Sequence, residues 1–284
     1  MNLLKVALLL LAIAIAYGLY RWRNSKVVDI IVDDTGKRRT DLLYGYFSCM
    51  GDQVAETRDH INLFMDCQFD GPDKLVTNVR ESGVDTVAID VSYQLFERAL
   101  GAKYSVIRRD AALRMRAFFQ HLKDNGVLDK VKILFPMDEP NNTLESEAAL
   151  IEAFNVLASV VAEFPELSKV AYACIYAAGK PFIGIHLFDY VGVDDYDKKS
   201  AVLIGQYVKL KAALRAGQKT ILVIGGAYGQ DPKQFVIFAH NNDEVGIVMP
   251  FLWYDDTFGT VGALGIRSSV LRDTYIKTGL EVTG

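Results

Sequence analysis

Asp138 and Glu139 stand side by side in the run Phe135-Pro136-Met137-Asp138-Glu139-Pro140-Asn141-Asn142. Adjacent carboxyl groups repel each other's charge, so one is driven toward holding a proton near neutral pH, as a general acid must. Acidic, amide and aromatic residues recur in short bursts elsewhere: Asp66, Gln68 and Asp70; Asp90, Ser92, Tyr93 and Gln94; Tyr176; Asp194, Asp195, Tyr196 and Asp197; Tyr228; Trp253, Tyr254, Asp255 and Asp256. Rings pack on the C–H faces of sugars while carboxylates accept from hydroxyls, so this mixture suits a carbohydrate. A phosphate ligand would want Arg, Lys or helix N-termini, and Lys and Arg are scarce in these bursts. No HExxH, GxSxG or P-loop occurs, and His60, His121, His186 and His240 are scattered. Neither a metal site nor a cofactor is therefore expected.

The bursts fall at regular intervals because they follow apolar, β-prone runs. Strands are expected at Leu43–Cys49, Ile61–Asp66, Thr86–Val91, Val131–Met137, Val170–Tyr176, Tyr190–Asp194, Ile221–Gly225 and Gly246–Leu252. Between them lie stretches of helical period: Asp73–Ser82 stopped by Gly83, a helix capped by Asp110 and ended by Gly126, Ser146–Phe164, Ala201–Ala216 and Pro232–Asn241, with Val261–Thr278 last. In the second of these Leu113, Phe118, Phe119 and Leu122 are expected to face inward, and in the third Leu150, Ile151, Phe154, Leu157 and Val161. Only a short irregular segment separates the fifth and sixth strands.

Eight strands, most followed by a helix, predict an α/β fold of the (β/α)8 TIM-barrel type. A doubly wound sheet would carry a GxGxxG turn after its first strand, and Ser48-Cys49-Met50-Gly51-Asp52-Gln53 lacks it. In a barrel the chemistry sits where strands end, since that rim brings side chains from many strands to one cavity. The bursts stand there, which makes Asp90, Tyr93, Asn141, Tyr176, Asp194, Asp195, Tyr196, Tyr228, Trp253 and Asp255 candidate substrate-binding residues around Asp138 and Glu139.

Asp138-Glu139-Pro140 after the fourth strand resembles the (Asn/Asp)-Glu-Pro signature of TIM-barrel glycoside hydrolases, and Met249-Pro250-Phe251-Leu252-Trp253 is similar to their eighth strand. The resemblance implies that Glu139 is the general acid/base, that Trp253 lies under the sugar, and that the ligand is a glycan. It departs at the seventh strand, where the family's second Glu is replaced by Ile224-Gly225-Gly226-Ala227-Tyr228. Two arrangements accommodate the difference. In one, Asp194, Asp195 or Asp255 serves as base or nucleophile opposite Glu139, their separation deciding inversion or retention. In the other, Asp138 orients the acetamide of a hexosamine whose own oxygen attacks, with Tyr196 or Tyr228 holding that group. A non-catalytic carbohydrate-binding or interaction barrel is the alternative.

The 284-residue chain divides into a membrane-directed segment (1–23), a linker (24–40) and one barrel domain (41–284). Residues 3–20 form an almost uninterrupted apolar run of about 27 Å as a helix, enough to reach across a bilayer core of about 30 Å. A single-pass membrane protein facing the cell envelope or the extracytoplasmic side is expected. A cleaved signal peptide ending near Ala14-Ile15-Ala16 is the competing possibility, and Arg21, Arg23 and Lys26 pull the other way by favouring retention of that flank in the cytoplasm. A net charge of −4 without a basic stripe excludes nucleic acid as an expected partner. Cys49, Cys67 and Cys174 match no zinc or redox spacing; a Cys49–Cys67 disulfide stays open alongside buried thiols. Nothing in the sequence specifies an oligomeric state.

Overall fold

A computed structural model describes residues 35–47, 53–68, 70–194, 200–255 and 265–284. Eight parallel strands form one curled sheet: β1 (Leu43–Tyr44), β2 (Phe64–Asp66), β3 (Val87–Asp90), β4 (Val131–Phe135), β5 (Ala171–Ala177), β6 (Tyr190–Asp194), β7 (Lys219–Gly225) and β8 (Val245–Phe251). Their spatial order is β1-β8-β7-β6-β5-β4-β3-β2. This order follows the chain around the sheet without reversal, so the fold is (β/α)8 barrel-like and not doubly wound.

The gap between β1 and β2 is bridged by backbone bonds. Tyr44 O accepts from both Asn62 N and Leu63 N at 3.1 Å. The Asn62 side chain ties the same strands, accepting from Tyr44 N at 2.7 Å and donating to Leu42 O at 3.0 Å. Gly45 permits the approach, since a Cβ there would lie 2.0 Å from Leu63 O.

Among the described residues, seven helices of five residues or more pack outside: α1 (Gln53–Thr57), α2 (Pro72–Ser82), α3 (Ala111–Asp124), α4 (Glu147–Val161), α5 (Ser200–Ala213), α6 (Pro232–Asn241) and α7 (Arg272–Thr283). Gly83 and Gly126 end their helices at φ +68° and +66°, a conformation that costs glycine little. Period-two alternation sends Leu63, Met65, Ala88, Ile133, Phe135, Ile175, Ile221, Val223, Ile247 and Met249 into the barrel interior. Their neighbours Phe64, Ile89, Leu134, Cys174, Val193 and Leu222 pack beneath the helices. Each such burial contributes roughly 1.5–3 kcal/mol for the large aliphatic side chains.

Several boundaries depart from the sequence expectation. β1 pairs over two residues only, and β2 starts at Phe64 because Arg58–His60 form a 3₁₀ turn. Asp110 does not cap α3; its carboxylate accepts from Arg114 Nε at 2.8 Å. Leu113 is exposed and Met115 takes the inward place, while on α4 Ile151 turns outward and Ala153 and Val160 join the stripe of Leu150 and Leu157. The 3.6-residue period puts Ile151 about 100° from Leu150, beyond the edge of the face. Of the closing helix expected at Val261–Thr278, residues 261–264 lie outside the described ones; beyond them a 3₁₀ turn at Ile266–Ser268 precedes a helix that begins at Arg272. Cys67 and Cys174 are buried, and Cys49, the other half of the open Cys49–Cys67 pairing, lies outside the described residues. Among the described residues no helix is long and apolar enough to cross a membrane; residues 3–20 lie outside them.

Candidate active site

Strand register decides which acidic side chains meet. Asp90 lies opposite Phe135, Asp138 forms an isolated bridge with Ile175, and Asp194 lies opposite Ala177. Phe135 and Ile175 point inward, and residues paired in a parallel ladder share a face. Asp90, Asp138 and Asp194 therefore enter the barrel mouth from β3, the end of β4 and β6.

Their surroundings are polar on the β2–β3 side. Asp90 Oδ1 accepts from Ser92 N at 2.7 Å, and Gln68, itself bonded to Gln94 at 2.8 Å, donates to Asp90 O. Burial pushes the Asp90 carboxyl up to about 6, against the Ser92 N–H and hydroxyl that favour its charge, and Asp66 adds repulsion. Asp138 is raised well above the usual carboxylate range, first by the barrel wall around it, then by Asp194, Glu139 and Asp90. Water still reaches Asp138, so screening moderates this push without reversing it. Such a cluster titrates as a unit, and at least one member keeps its proton where an isolated aspartate would lose it.

Glu139 sits one residue beyond the bridge in the left-handed region, φ +47° and ψ +57°. Its N–H donates to Ile175 O at 2.9 Å, and its carboxylate accepts from Asn142 Nδ2 at 2.7 Å. Asn142 Oδ1 in turn accepts from the Lys180 ammonium. A non-glycine residue in this conformation costs about 1 kcal/mol or more and persists only where surrounding bonds hold it. Asn141 supplies one such hold: its amide spans to β5, donating to Ala177 O and accepting from Ala177 N, both at 3.0 Å. Asn141 thus fixes the loop carrying Glu139 and has its side chain committed to the backbone.

Other expected site residues are turned elsewhere. Tyr176 follows the outward parity of β5, is fully buried against Phe182 and Phe188, and donates to Ile183 O at 2.5 Å. Trp253 is also fully buried; its ring packs on Tyr46 and His60, and its Nε1 donates to Glu56 at 2.7 Å, leaving no face for a sugar. Asp255 binds Gly265 N at 2.7 Å and Ser268 Oγ at 2.5 Å, and these bonds with Arg267 hold its carboxyl below the ordinary range. It anchors the chain entering the last 3₁₀ turn. Asp66 faces α2, accepting from Asn78 at 3.1 Å. Tyr93 stays half exposed beside Asp90, and Tyr228 is partly buried in the turn after β7. Asp195 and Tyr196 lie outside the described residues.

Two aromatic residues absent from the sequence expectation stand in the mouth. Phe251, the last inward residue of β8, and Phe47, just past β1, are partly exposed with centroids 5.9 Å apart, and Phe47 also meets Phe135 at 6.4 Å. Period-two counting from Ile247 and Met249 reaches Phe251, whereas the Trp two residues later lies beyond the strand. At the end of β7, Gly225 is paired with Phe251. A Cβ on Gly225 would meet the Gln230 amide at 3.3–3.4 Å, and that amide also accepts from Gly225 N at 2.8 Å. A neutral, buried amide occupies the space where a strand-seven carboxylate would project. Among the described residues no group of His, Cys, Asp and Glu could hold a metal ion.

This architecture is shared with glycoside hydrolases. The chain superposes on a fungal β-1,4-galactanase with TM-score 0.53 at 12% identity, covering 83% of this chain and 93% of that one. A mannanase from Bacillus subtilis gives 0.52 at 13% identity over 86% and 88%. A β-galacturonidase from Eisenbergiella tayi gives 0.55 at 10% identity over 86% of this chain and 51% of that one. No family model matches the sequence, and no curated protein matches it. The likeness is one of fold: a (β/α)8 barrel-like domain of the kind that glycan-cleaving enzymes use.

Proposed function

We propose that the protein is a glycoside hydrolase acting on a glycan bound across the barrel mouth, with the Asp138-Glu139 pair as its acid/base centre. The observation that carries this is the convergence of Asp90, Asp138 and Asp194 on the barrel mouth by strand register, with Asp138 pushed toward its protonated form by burial and by its acidic neighbours. Asp138 donates its proton to the glycosidic oxygen as the bond from that oxygen to the anomeric carbon breaks. Asp194, from the wall formed by β6, acts as base or nucleophile, and the proton of the incoming water returns to the carboxylate pair. Glu139, bonded to Asn142, is positioned to exchange roles with Asp138 when the substrate carries a 2-acetamido group whose own oxygen attacks. Phe47 and Phe251 offer ring faces to the sugar. The same proposal puts the barrel at a membrane, anchored by residues 3–20 on the envelope or extracytoplasmic side, where polymeric glycans are found.

The test is release of reducing ends from β-1,4-galactan, β-1,4-mannan, glucuronides and N-acetylhexosamine polymers, comparing wild type with Asp138→Asn and Glu139→Gln. A loss of about 10²–10⁴-fold in Asp138→Asn with a smaller loss in Glu139→Gln is expected. The reverse order would transfer the proton donation to Glu139, and full activity in both variants would end the proposal.

A second reading, a barrel that binds sugar without cleaving it, is favoured by one observation: Gln230 fills the strand-seven position. Glycan binding that survives both substitutions, with no product after long incubation, would establish it.

A further inference from the structure

Between β3 and α3 the chain makes an excursion that the barrel itself does not need. After a helical turn at Ser92–Leu95, Phe96–Glu97 pairs antiparallel with Val106–Ile107, and this small hairpin carries Arg98 and leads into Arg108. Two cavities of about 560 and 330 Å³ lie against it and share Tyr93 and Arg108 as their common wall. The smaller is also lined by Ser92 and Met137. Ser92 holds the Asp90 carboxylate and Met137 precedes Asp138, so this cavity opens beside the acidic mouth. The larger extends along α3 past Arg114 and His121.

The sign of the charge reverses across Tyr93. On the mouth side stand three aspartates, and on the groove side Arg98, Arg108 and Arg114. Arg108 is the fixed member: its Nε donates to Tyr93 O at 3.0 Å and to Phe96 O at 2.8 Å. Its Nη1 lies 3.3 Å from the carboxylate of Glu97, with the two side chains 24% and 51% exposed. Arg108 thus already faces one carboxylate, in a wet and weakly held pair that a ligand carboxylate could replace at little cost. Arg114, by contrast, is bonded through Nε to Asp110 at 2.8 Å, and Arg98 to the carbonyls of Ala102 and Lys103, both at 2.9 Å.

Resting on the glycosidase reading above, we propose that this groove is a subsite for a uronic acid residue of the glycan, whose carboxylate displaces Glu97 from Arg108 while the adjoining sugar lies over Tyr93 toward Asp138. The geometry favours a carboxylate over a phosphate. A single preset guanidinium matched by a monoanionic Glu97 balances one negative charge, and a phosphate dianion would meet stronger repulsion from Asp90. The substrate class is then an acidic polysaccharide: neutral sugar chemistry at the aspartates, anionic recognition one subsite away.

The experiment is calorimetric titration of the full chain with oligosaccharides paired in neutral and uronate form (galactose with galacturonate, glucose with glucuronate, mannose with mannuronate), at low and moderate salt. At least one uronate is expected to bind about tenfold or more tightly than its neutral partner, with the advantage shrinking as salt rises. Glu97→Gln should raise the uronate-to-neutral affinity ratio several-fold, and Arg108→Lys should bring it toward one. Because Arg108 also braces the hairpin, Glu97→Gln is the variant that decides if Arg108→Lys fails to fold. Equal binding of the paired sugars, unaffected by Glu97→Gln, would overturn the subsite while leaving the glycosidase reading intact. Failure of every sugar to bind would overturn both. Stronger competition by inorganic phosphate than by uronate would overturn the assignment to a carboxylate.

Discussion

Asp90→Asn tests the electrostatic description of the mouth most directly. The folded protein lifts Asp90 from an ordinary 3.8 to about 6, chiefly by burial. A shift of that size corresponds to about 3 kcal/mol between the two protonation states. Folded Asp90 therefore holds a proton more tightly than the unfolded chain does, and its ionisation lowers stability as pH rises from about 4 to about 6, after which the loss is complete. Asparagine keeps an oxygen to accept from Ser92 N–H but brings amide hydrogens in need of partners, at a cost of about 1 kcal/mol. The variant should accordingly be slightly less stable than wild type at pH 4 and about 2 kcal/mol more stable at pH 7.5. For a domain of this size that gain is a rise in Tm of about 4–8 °C. Chemical denaturation of both proteins at pH 4, 5, 6 and 7.5 gives the quantity that matters, the change in their stability difference with pH. A difference that stays flat, or that turns against the variant at high pH, would refute a half-buried and frustrated Asp90. Glycan cleavage should fall in the same variant, since functional sites commonly hold such charges at the expense of stability.

Three further outcomes follow from the packing. Gly45→Ala would drive a Cβ to within 2.0 Å of Leu63 O, so it should part β1 from β2 and cost about 4 kcal/mol or more, visible as lost solubility or a collapsed thermal transition. Trp253→Ala, which empties a fully buried site and removes the bond to Glu56, should cost about 3–5 kcal/mol; Trp253→Phe should cost less and leave glycan affinity unaltered in a folded sample, contrary to a sugar-platform role. Asn141→Ala removes two bonds to Ala177 and should lower stability by about 2 kcal/mol while reducing kcat more than it raises KM, because it loosens the loop of Glu139 without touching substrate.

The alternation of apolar runs with helical stripes was sufficient for the barrel, because strand and helix periods are local and each element buries its apolar face alone. It also placed Asp138, Glu139, Asp90 and Asp194 at strand ends, where the structure has them, since in a (β/α)8 order the ends of strands converge whatever their detail. Which way a residue faces at a strand end was not legible. One position of parity separates Tyr176, buried under helices, from the inward Ala177, and a strand that ends at Phe251 leaves Trp253 to pack on Tyr46 and His60. The hairpin at 96–107 carries no periodic signal, so only the fold sets Arg98 and Arg108 in a groove across Tyr93 from the acidic mouth. The sequence by itself determined the kind of barrel and the store of carboxylates at its rim. Register and long-range packing decided which of them face the barrel mouth together, which are pushed toward their protonated form, and what fills the place of a seventh-strand acid, because these depend on distances between residues far apart in the chain.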